Sequence, residues 1–585
     1  MRNYLLVSRA PGDEAARHLA AELAQDASRN GLIVNELNPH TWLAVRAPAT
    51  STPLRVGAWT LLGDVFNRRS PILPATSAAD PRDYERKLVA RFWGRYIGVL
   101  FDRHDQPSAL LRDPSGAIEC VTWSQAGLTL VCSAAPDWLI RRLAPPWRIS
   151  VDRLAQALHS MVTGTGQLIL DGPVALEPGT VQVLPPTRPA EVVWAPAEIA
   201  RRSLAPPPSA EIAMNRLRFA IDEAVDGLAS LPGPLAAEVS GGLDSSIVAS
   251  CLVRHGPGTV RLWLNAYGAT RESDERDFVA ILGQALGFEP LCAPHATGLM
   301  TSDWLDILSG DLRPGVNGLD YPQDVVWGSH ITESGAGAVM SGKGGDSILF
   351  QAASTDVFTD LWQARGWRAL IHPDIAELAA ANEVSVWSMI ALARRHRRDG
   401  HRPLQREHPM LAPLQGDFAL HPWLADLDDF GPGKAFQIAG VADSVSHHSS
   451  SALTRSIDVR HPLCAQPVIE ACLALPTPLL AIGGRDRGLA RRAFRDRLPA
   501  AIAERRSKGE MTRIYARLIV DNLDVLRPWL IEGRLAQLGL IDRAAAEAEL
   551  TPEALIWRGQ HAFILTAAAL EGWTRMWEGR LGPAR

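Results

Sequence analysis

Residues 240–246 read Ser-Gly-Gly-Leu-Asp-Ser-Ser, between an apolar stretch and an apolar-periodic run that begins Ile247-Val248-Ala249. Glycines followed by serines at a helix start suit an anion. Gly241 and Gly242 let the backbone approach a phosphate closely with its N–H groups turned inward. Ser240, Ser245 and Ser246 add hydroxyls, and the unpaired N–H groups of a helix start favour negative charge. Asp244 stands among them and would be repelled by phosphate unless a divalent cation intervened. Mg2+, held between a carboxylate and phosphate oxygens, removes that conflict. A glycine turn with a serine cap competes evenly for Ser-Gly-Gly alone; the whole heptad between a strand and a helix favours the phosphates of ATP.

A second segment, Ser341-Gly342-Lys343-Gly344-Gly345-Asp346-Ser347, also follows an apolar run. Gly344 and Gly345 could again admit a phosphate, and Asp346 is a second acid. In a parallel sheet both loops leave the carboxyl ends of strands, where ligands bind. Asp244 and Asp346 could then share one Mg2+ on a triphosphate. Gly337 to Lys343 spells GxxxxGK, but Gly344 stands where a Walker loop needs a hydroxyl for Mg2+, so a P-loop is rejected. A third segment, Arg485 to Thr512, is strongly basic and holds a single lysine, Lys508, between Ser507 and Gly509. Lys508 could stabilise charge on a leaving pyrophosphate. By charge pattern alone a solvated basic helix is the favoured reading of that segment.

The elements that must position these residues follow from periodicity. Residues 1 to about 205 read β-rich, with short apolar runs at Tyr4–Val7, Ile97–Phe101, Ala109–Leu111 and Leu128–Cys132. Helical patterns are expected over Asp13–Ala24 and Tyr84–Tyr96. Leu204-Ala205-Pro206-Pro207-Pro208 reads as a linker. Beyond it come a helix over Glu211–Leu231, strands at Pro234–Val239, Val260–Leu264 and Ala338–Met340, and a helix over Asp274–Gly287. This βαβ alternation implies a parallel sheet covered by helices, so the fold class is α/β. Residues from about 350 to 585 read mainly helical. The chain has 585 residues, too many for one ordinary core.

Composition excludes several functions. A net charge of −5 gives no hint of nucleic-acid binding, and the run Arg394-Arg395-His396-Arg397-Arg398 reads as a solvated helix face. The six cysteines, Cys120, Cys132, Cys251, Cys292, Cys464 and Cys472, form no CxxC pair and read as buried free thiols in a reducing cytoplasm. No start segment reads as a signal peptide and no apolar stretch reaches the ~18 residues of a membrane span.

Together these segments resemble the asparagine synthetase superfamily. Ser240–Ser246 match its pyrophosphate loop, and Ser273-Asp274-Glu275 with Ala280 and Leu286-Gly287 is similar to its next helix. Ser341–Ser347 stand where it has a second Gly-Asp loop. Ser456-Ile457-Asp458-Val459-Arg460-His461-Pro462-Leu463 resembles its EVRxPFLD stretch, and Leu498-Pro499 with Arg505–Gly509 resembles its closing segment. More weakly, Trp93–Val99 and Leu111–Gly116 resemble its glutaminase domain. The resemblance implies an N-terminal Ntn-hydrolase-like αββα sandwich over 1–205. It also implies an adenine nucleotide alpha hydrolase-like (PP-loop) synthetase domain over 206–585. It assigns ATP phosphates to the first loop, Mg2+ to Asp244 and Asp346, and transition-state charge to Lys508. The glutaminase nucleophile is a cysteine exposed once Met1 is removed, but here position 2 is Arg2 and the nearest cysteine is Cys120. Arginine supplies no thiolate, so this domain should not hydrolyse glutamine.

Members without that cysteine include β-lactam synthetases and lasso peptide cyclases. Their shared chemistry is attack of a carboxylate on ATP, then displacement of AMP by an amine. Asparagine synthetases carry a Glu, and β-lactam synthetases a Tyr, where this chain has Lys343; the FLD acid is replaced by Leu463-Cys464-Ala465. The Gly-Gly-Asp loop and the degenerate N-terminal part are most similar to the lasso peptide macrolactam synthetases. The resemblance therefore implies a core peptide as substrate, with a leader peptidase and a leader-binding protein as possible partners. A β-lactam or ammonia-dependent amide synthetase, and a non-catalytic peptide binder, stay open as alternatives. His461 is a candidate base for the amine, with a structural role the favoured reading. The 18 tryptophans could line a peptide groove, though aromatic residues are more often core.

Overall fold

The computed structural model describes residues 3–46, 53–71, 80–160, 167–256, 258–271, 273–399, 406–416, 418, 420–506, 512–558 and 561–582. Among them, residues up to 192 build two antiparallel sheets of six strands each. The first is centred on Tyr4–Arg9 between Thr41–Arg46 and Leu128–Cys132; the second on Phe92–Phe101 between Trp59–Asn67 and Pro107–Arg112. Side-chain alternation decides what each face meets. Tyr4, Leu6 and Val131 of the first sheet meet Leu62, Ile97 and Leu110 of the second in one core. Leu5 and Val7 point the other way, onto Ala20 and Leu23 of helix Glu14–Arg29. Trp59, Leu61 and Leu111 leave the second sheet toward Leu217 and Ile221 of helix Ala210–Ala229. Two sheets face to face with helices on both outer faces are the result.

The expected strands over Tyr4–Val7, Ile97–Phe101, Ala109–Leu111 and Leu128–Cys132 all lie within observed strands. The helix expected from Asp13 begins at Glu14, capped by the Asp13 side chain, which accepts a hydrogen bond from the Ala16 N–H at 2.9 Å. The helix expected over Tyr84–Tyr96 is corrected. It spans Asp83–Arg91, and Phe92 begins a strand that pairs with Trp59–Asn67 along its length. Phe92, Trp93 and Tyr96 prefer a pleated surface, and sheet pairing overrides the helical period there. The cysteines are free, and five are buried, but Cys292 is exposed.

The second half is built on five parallel strands in the order Pro290–Pro294, Val260–Tyr267, Leu235–Glu238, Ala338–Met340, Asp458–Arg460. The first three are successive in the chain and step one way; the next two add on the other side. The order therefore reverses between Leu235–Glu238 and Ala338–Met340, the crevice where open α/β sheets bind ligands. Beyond residue 350 the described elements are helices, apart from Asp458–Arg460. Among the described residues no single helix is long and apolar enough to cross a membrane. The pair Ile375–Ala381 and Val386–His396 has the composition together but is bent by 90°.

The two halves share their cores. One cluster joins the second antiparallel sheet to the parallel sheet and its helices, and another joins the first to helix His561–Leu581 through Trp573 and Trp577. Buried charge reinforces this. Arg95 of the sandwich binds Asp458 of the parallel sheet at 2.8 Å and Asp64 at 2.5 Å. Arg68 binds Glu470 at 2.8 Å.

Candidate active site

Both candidate loops leave strands that flank the crevice. Val239 continues the central strand, held by the Asn265 Nδ2 amide, which donates to its carbonyl at 2.8 Å. Ser240 and Gly241 turn the chain, and helix Leu243–His255 starts behind Gly242. Gly241 has φ +69°, and a Cβ there would lie 2.7 Å from Cβ of Phe278. The serines brace the turn. Ser246 Oγ donates to the Gly242 carbonyl at 2.7 Å, and Ser245 Oγ lies 3.0 Å from Ser240 Oγ and accepts the Ser240 N–H at 3.1 Å. The loop is thus preformed, with N–H groups of the helix start facing the crevice side of the sheet.

The second loop, from Ser341 to Gly344, lies directly against the first. A Cβ on Gly342 would strike the backbone of Asp244 and Ser245, and one on Gly345 would lie 2.5 Å from Asp244 Cγ. Gly344 has φ +87°, and its missing side chain leaves room for Cys464. These glycines are therefore required for loop-on-loop packing, whatever they also offer to a phosphate.

That packing brings the two predicted carboxylates together. Arg487 Nη1 donates to Asp244 Oδ2 at 2.7 Å and to Asp346 Oδ1 at 2.6 Å. Burial pushes the Asp244 carboxyl up to about 7 against the pull of Arg487, and the charge of Asp346 adds to the rise. Arg487 adopts a left-handed backbone, φ +54°, and its N–H donates to the Phe350 carbonyl at 3.0 Å. It was not singled out from the sequence, where it is one of many arginines in the basic segment. Arg505 completes the floor of the first loop. It binds Glu275 at 2.6 Å, stacks 3.9 Å from the ring centre of Phe278, and donates to the Gly241 carbonyl at 3.3 Å. Lys508, three residues on, lies outside the described residues.

Comparison with family models matches residues 216–575 to the asparagine synthase family. The chain belongs to the asparagine synthase family. It is an ATP-dependent amide-forming ligase of the asparagine synthetase type. Comparison with curated proteins found no match.

The synthetase's carboxylate pair fits a divalent cation. Asp244 Oδ1 is buried and has no hydrogen-bond partner among the described residues, and a second carboxylate lies across Arg487 from it. Two acids so close need positive charge between them, and a magnesium ion with phosphate oxygens would share that task with Arg487. Around the second loop the chemistry differs from a carboxylate-bearing relative. Lys343 Nζ donates to Asn317 Oδ1 at 3.0 Å, and burial pushes nearby Glu238 up to about 7, with Asp324 adding to it and Lys343 opposing. Neither Asn317 nor Glu238 carried a signal in sequence beyond its polarity. His461 Nδ1 lies 3.0 Å from Ser341 Oγ and is buried. In place of the missing acid, Leu463, Cys464 and Ala465 are buried beneath the loop. Arg2 lies outside the described residues, and Cys120 is fully buried with its thiol pushed up to about 12 by burial. Such a thiol supplies no nucleophile.

Proposed function

We propose that this synthetase closes a peptide macrocycle. A carboxylate side chain, Asp or Glu, of a processed core peptide attacks the α-phosphorus of ATP, and pyrophosphate leaves. The peptide's own N-terminal amine then attacks the acyl-adenylate, forms the isopeptide bond and expels AMP, as in lasso peptide biosynthesis. In this reading the loop Ser240–Ser246 and the turn Gly344–Gly345 receive the phosphates, through N–H groups that the loops' own hydrogen bonds leave over. Asp244 and Asp346 hold Mg2+, which draws charge from the phosphate oxygens when bound. Arg487 opposes the burial that favours the neutral Asp244 carboxyl and aligns both acids, and Lys508 meets the charge of the departing pyrophosphate. The rate gain comes mainly from holding amine and activated carbonyl together.

The observation that carries the peptide assignment is Lys343. By the sequence resemblance, a cation here anchored to Asn317 stands where asparagine synthetases carry a catalytic Glu or β-lactam synthetases a Tyr, near the half-buried acids Glu238 and Asp324. A site with opposed charges suits a substrate that brings both a carboxylate and an ammonium. We place the protein in the cytoplasm, divide it near residue 205, and read its sandwich as a glutaminase-like domain without glutaminase activity. That sandwich could also receive a leader peptidase or leader-binding protein.

The test is mass spectrometry of leaderless core peptides incubated with the protein, ATP and Mg2+, with AMP and pyrophosphate measured in the same samples. Loss of one water from the peptide with AMP formed, both signals absent in Asp244→Ala, is the expected result. AMP formed only with small β-amino acids would replace this reading with a β-lactam synthetase. Tight peptide binding with no AMP from any substrate would leave only a peptide-binding role.

A further inference from the structure

A cavity of about 650 Å³ opens between the sandwich and the synthetase half, and its lining includes no residue of the two glycine loops. That volume lies within the range of ligand sites, which favour domain junctions. One wall is apolar, with Trp138 and Leu139 from the sandwich side and Ile307, Val316 and Val445 from the other. The charged lining is unbalanced, five arginines against three carboxylates. Each carboxylate is already engaged. Glu119 is held by Arg112 and Arg313, and Arg580 binds Asp137 at 2.7 Å and Asp311 at 3.1 Å. Arg46 and Arg455 are left with no carboxylate partner among the described residues. The cavity also backs onto the active site. Asn317 donates to the carbonyl of Ser446, a lining residue, at 2.8 Å, and the same amide accepts from Lys343 at 3.0 Å.

We propose that this cavity binds an acidic segment of the peptide substrate, seating its apolar side chains on the Trp138–Val445 wall and its carboxylates at Arg46 and Arg455. The identity of the ligand as peptide rests on the macrocyclase reading; its charge and size rest on the cavity. A free phosphate group would gain nothing from the apolar wall, and a single amino acid would leave most of the volume empty. Holding the non-reacting part of the peptide one residue from Lys343 would spend its binding energy on positioning the reacting carboxylate.

The probe is a pool of N-acetylated hexapeptides randomised at every position, incubated with the full chain without ATP, the retained fraction being sequenced by mass spectrometry. Arg46→Glu/Arg455→Glu is the comparison, because both side chains are exposed and charge reversal there spares the core. The wild type should retain peptides enriched in Asp and Glu by about fivefold over the input, a difference of about 1 kcal/mol, and the double variant should lose that enrichment. ATP binding, followed by equilibrium dialysis, should be alike in the two proteins. No retention, retention without acid enrichment, or equal enrichment in the variant would each overturn the proposal. AMP formation with whole core peptides, measured separately, would stand in any of those cases, so this failure is distinguishable from failure of the macrocyclase reading.

Discussion

Glu238 ends the central strand of the parallel sheet, two residues before the first loop. Its carboxyl sits at about 7 because burial disfavours its charge, with Asp324 adding to the effect, against an ordinary 4.5. The folded state thus binds this proton more tightly than the unfolded chain does. The stabilisation it contributes is complete below pH 4.5 and is lost as the pH rises through 7. The difference is worth about 3 kcal/mol at most. Denaturant titrations at pH 5 and pH 8 should therefore show the wild type losing more stability on the alkaline side than Glu238→Gln. Parallel losses in the two proteins would show that this carboxyl is already ionised at pH 5.

At the scale of elements, the active site depends on two loops that touch without side chains between them. Gly345 is the tightest point of that contact. In Gly345→Ala the new methyl would fall 2.5 Å from Asp244 Cγ and 2.7 Å from its Cβ, so one loop must move. Asp244 and Asp346 would separate, and Arg487 could no longer reach both at 2.7 and 2.6 Å. A displacement near 1 Å at reacting groups costs about 100-fold in rate. The expected outcome is a loss of that size in AMP formation with a melting temperature changed by only a few degrees. Retained activity would mean that the glycine is kept for some other reason.

At the scale of the molecule, the sandwich is joined to the synthetase by shared apolar cores and by buried ion pairs. Arg95 is the clearest of these, with side-chain exposure of 9% and carboxylates from both halves on its guanidinium. Replacing it by Met would leave Asp64 without its ion-pair partner and Asp458 with Arg460 alone, which holds it at 2.7 Å, a loss of about 3 kcal/mol. Because the outer face of each antiparallel sheet is part of a core with the second half, the variant should still unfold in one transition, at lower denaturant. Two separated transitions would show that the halves fold independently.

Much of this was legible in the sequence because it is local. Strand, glycines, acid and serines lie within 240–246, and the βαβ order that places two such loops side by side follows from periodicity and the handedness of crossovers. The Asp244 and Asp346 pairing could be expected because both loops leave parallel strands at their carboxyl ends. The helix assigned to Tyr84–Tyr96 failed at Phe92 because nine ladder partners on Trp59–Asn67 outweigh a local helical period. Arg487 reaches Asp244 across 243 residues of chain, and nothing in its neighbourhood distinguishes it from Arg485 or Arg491. The contact of Asn317 with Lys343 joins two segments of the second half, and the cavity behind it is lined from both halves, so it exists only because the sandwich packs there. The sequence by itself determined that a glycine-serine loop and a second acidic loop flank one crevice, since backbone freedom and strand order are properties of short segments. The tertiary structure alone decided which cation sits between the acids, what faces Lys343, and where an unbalanced pair of arginines lines a cavity. Those depend on packing that brings distant segments of the chain together, so that charges from different elements meet at short range.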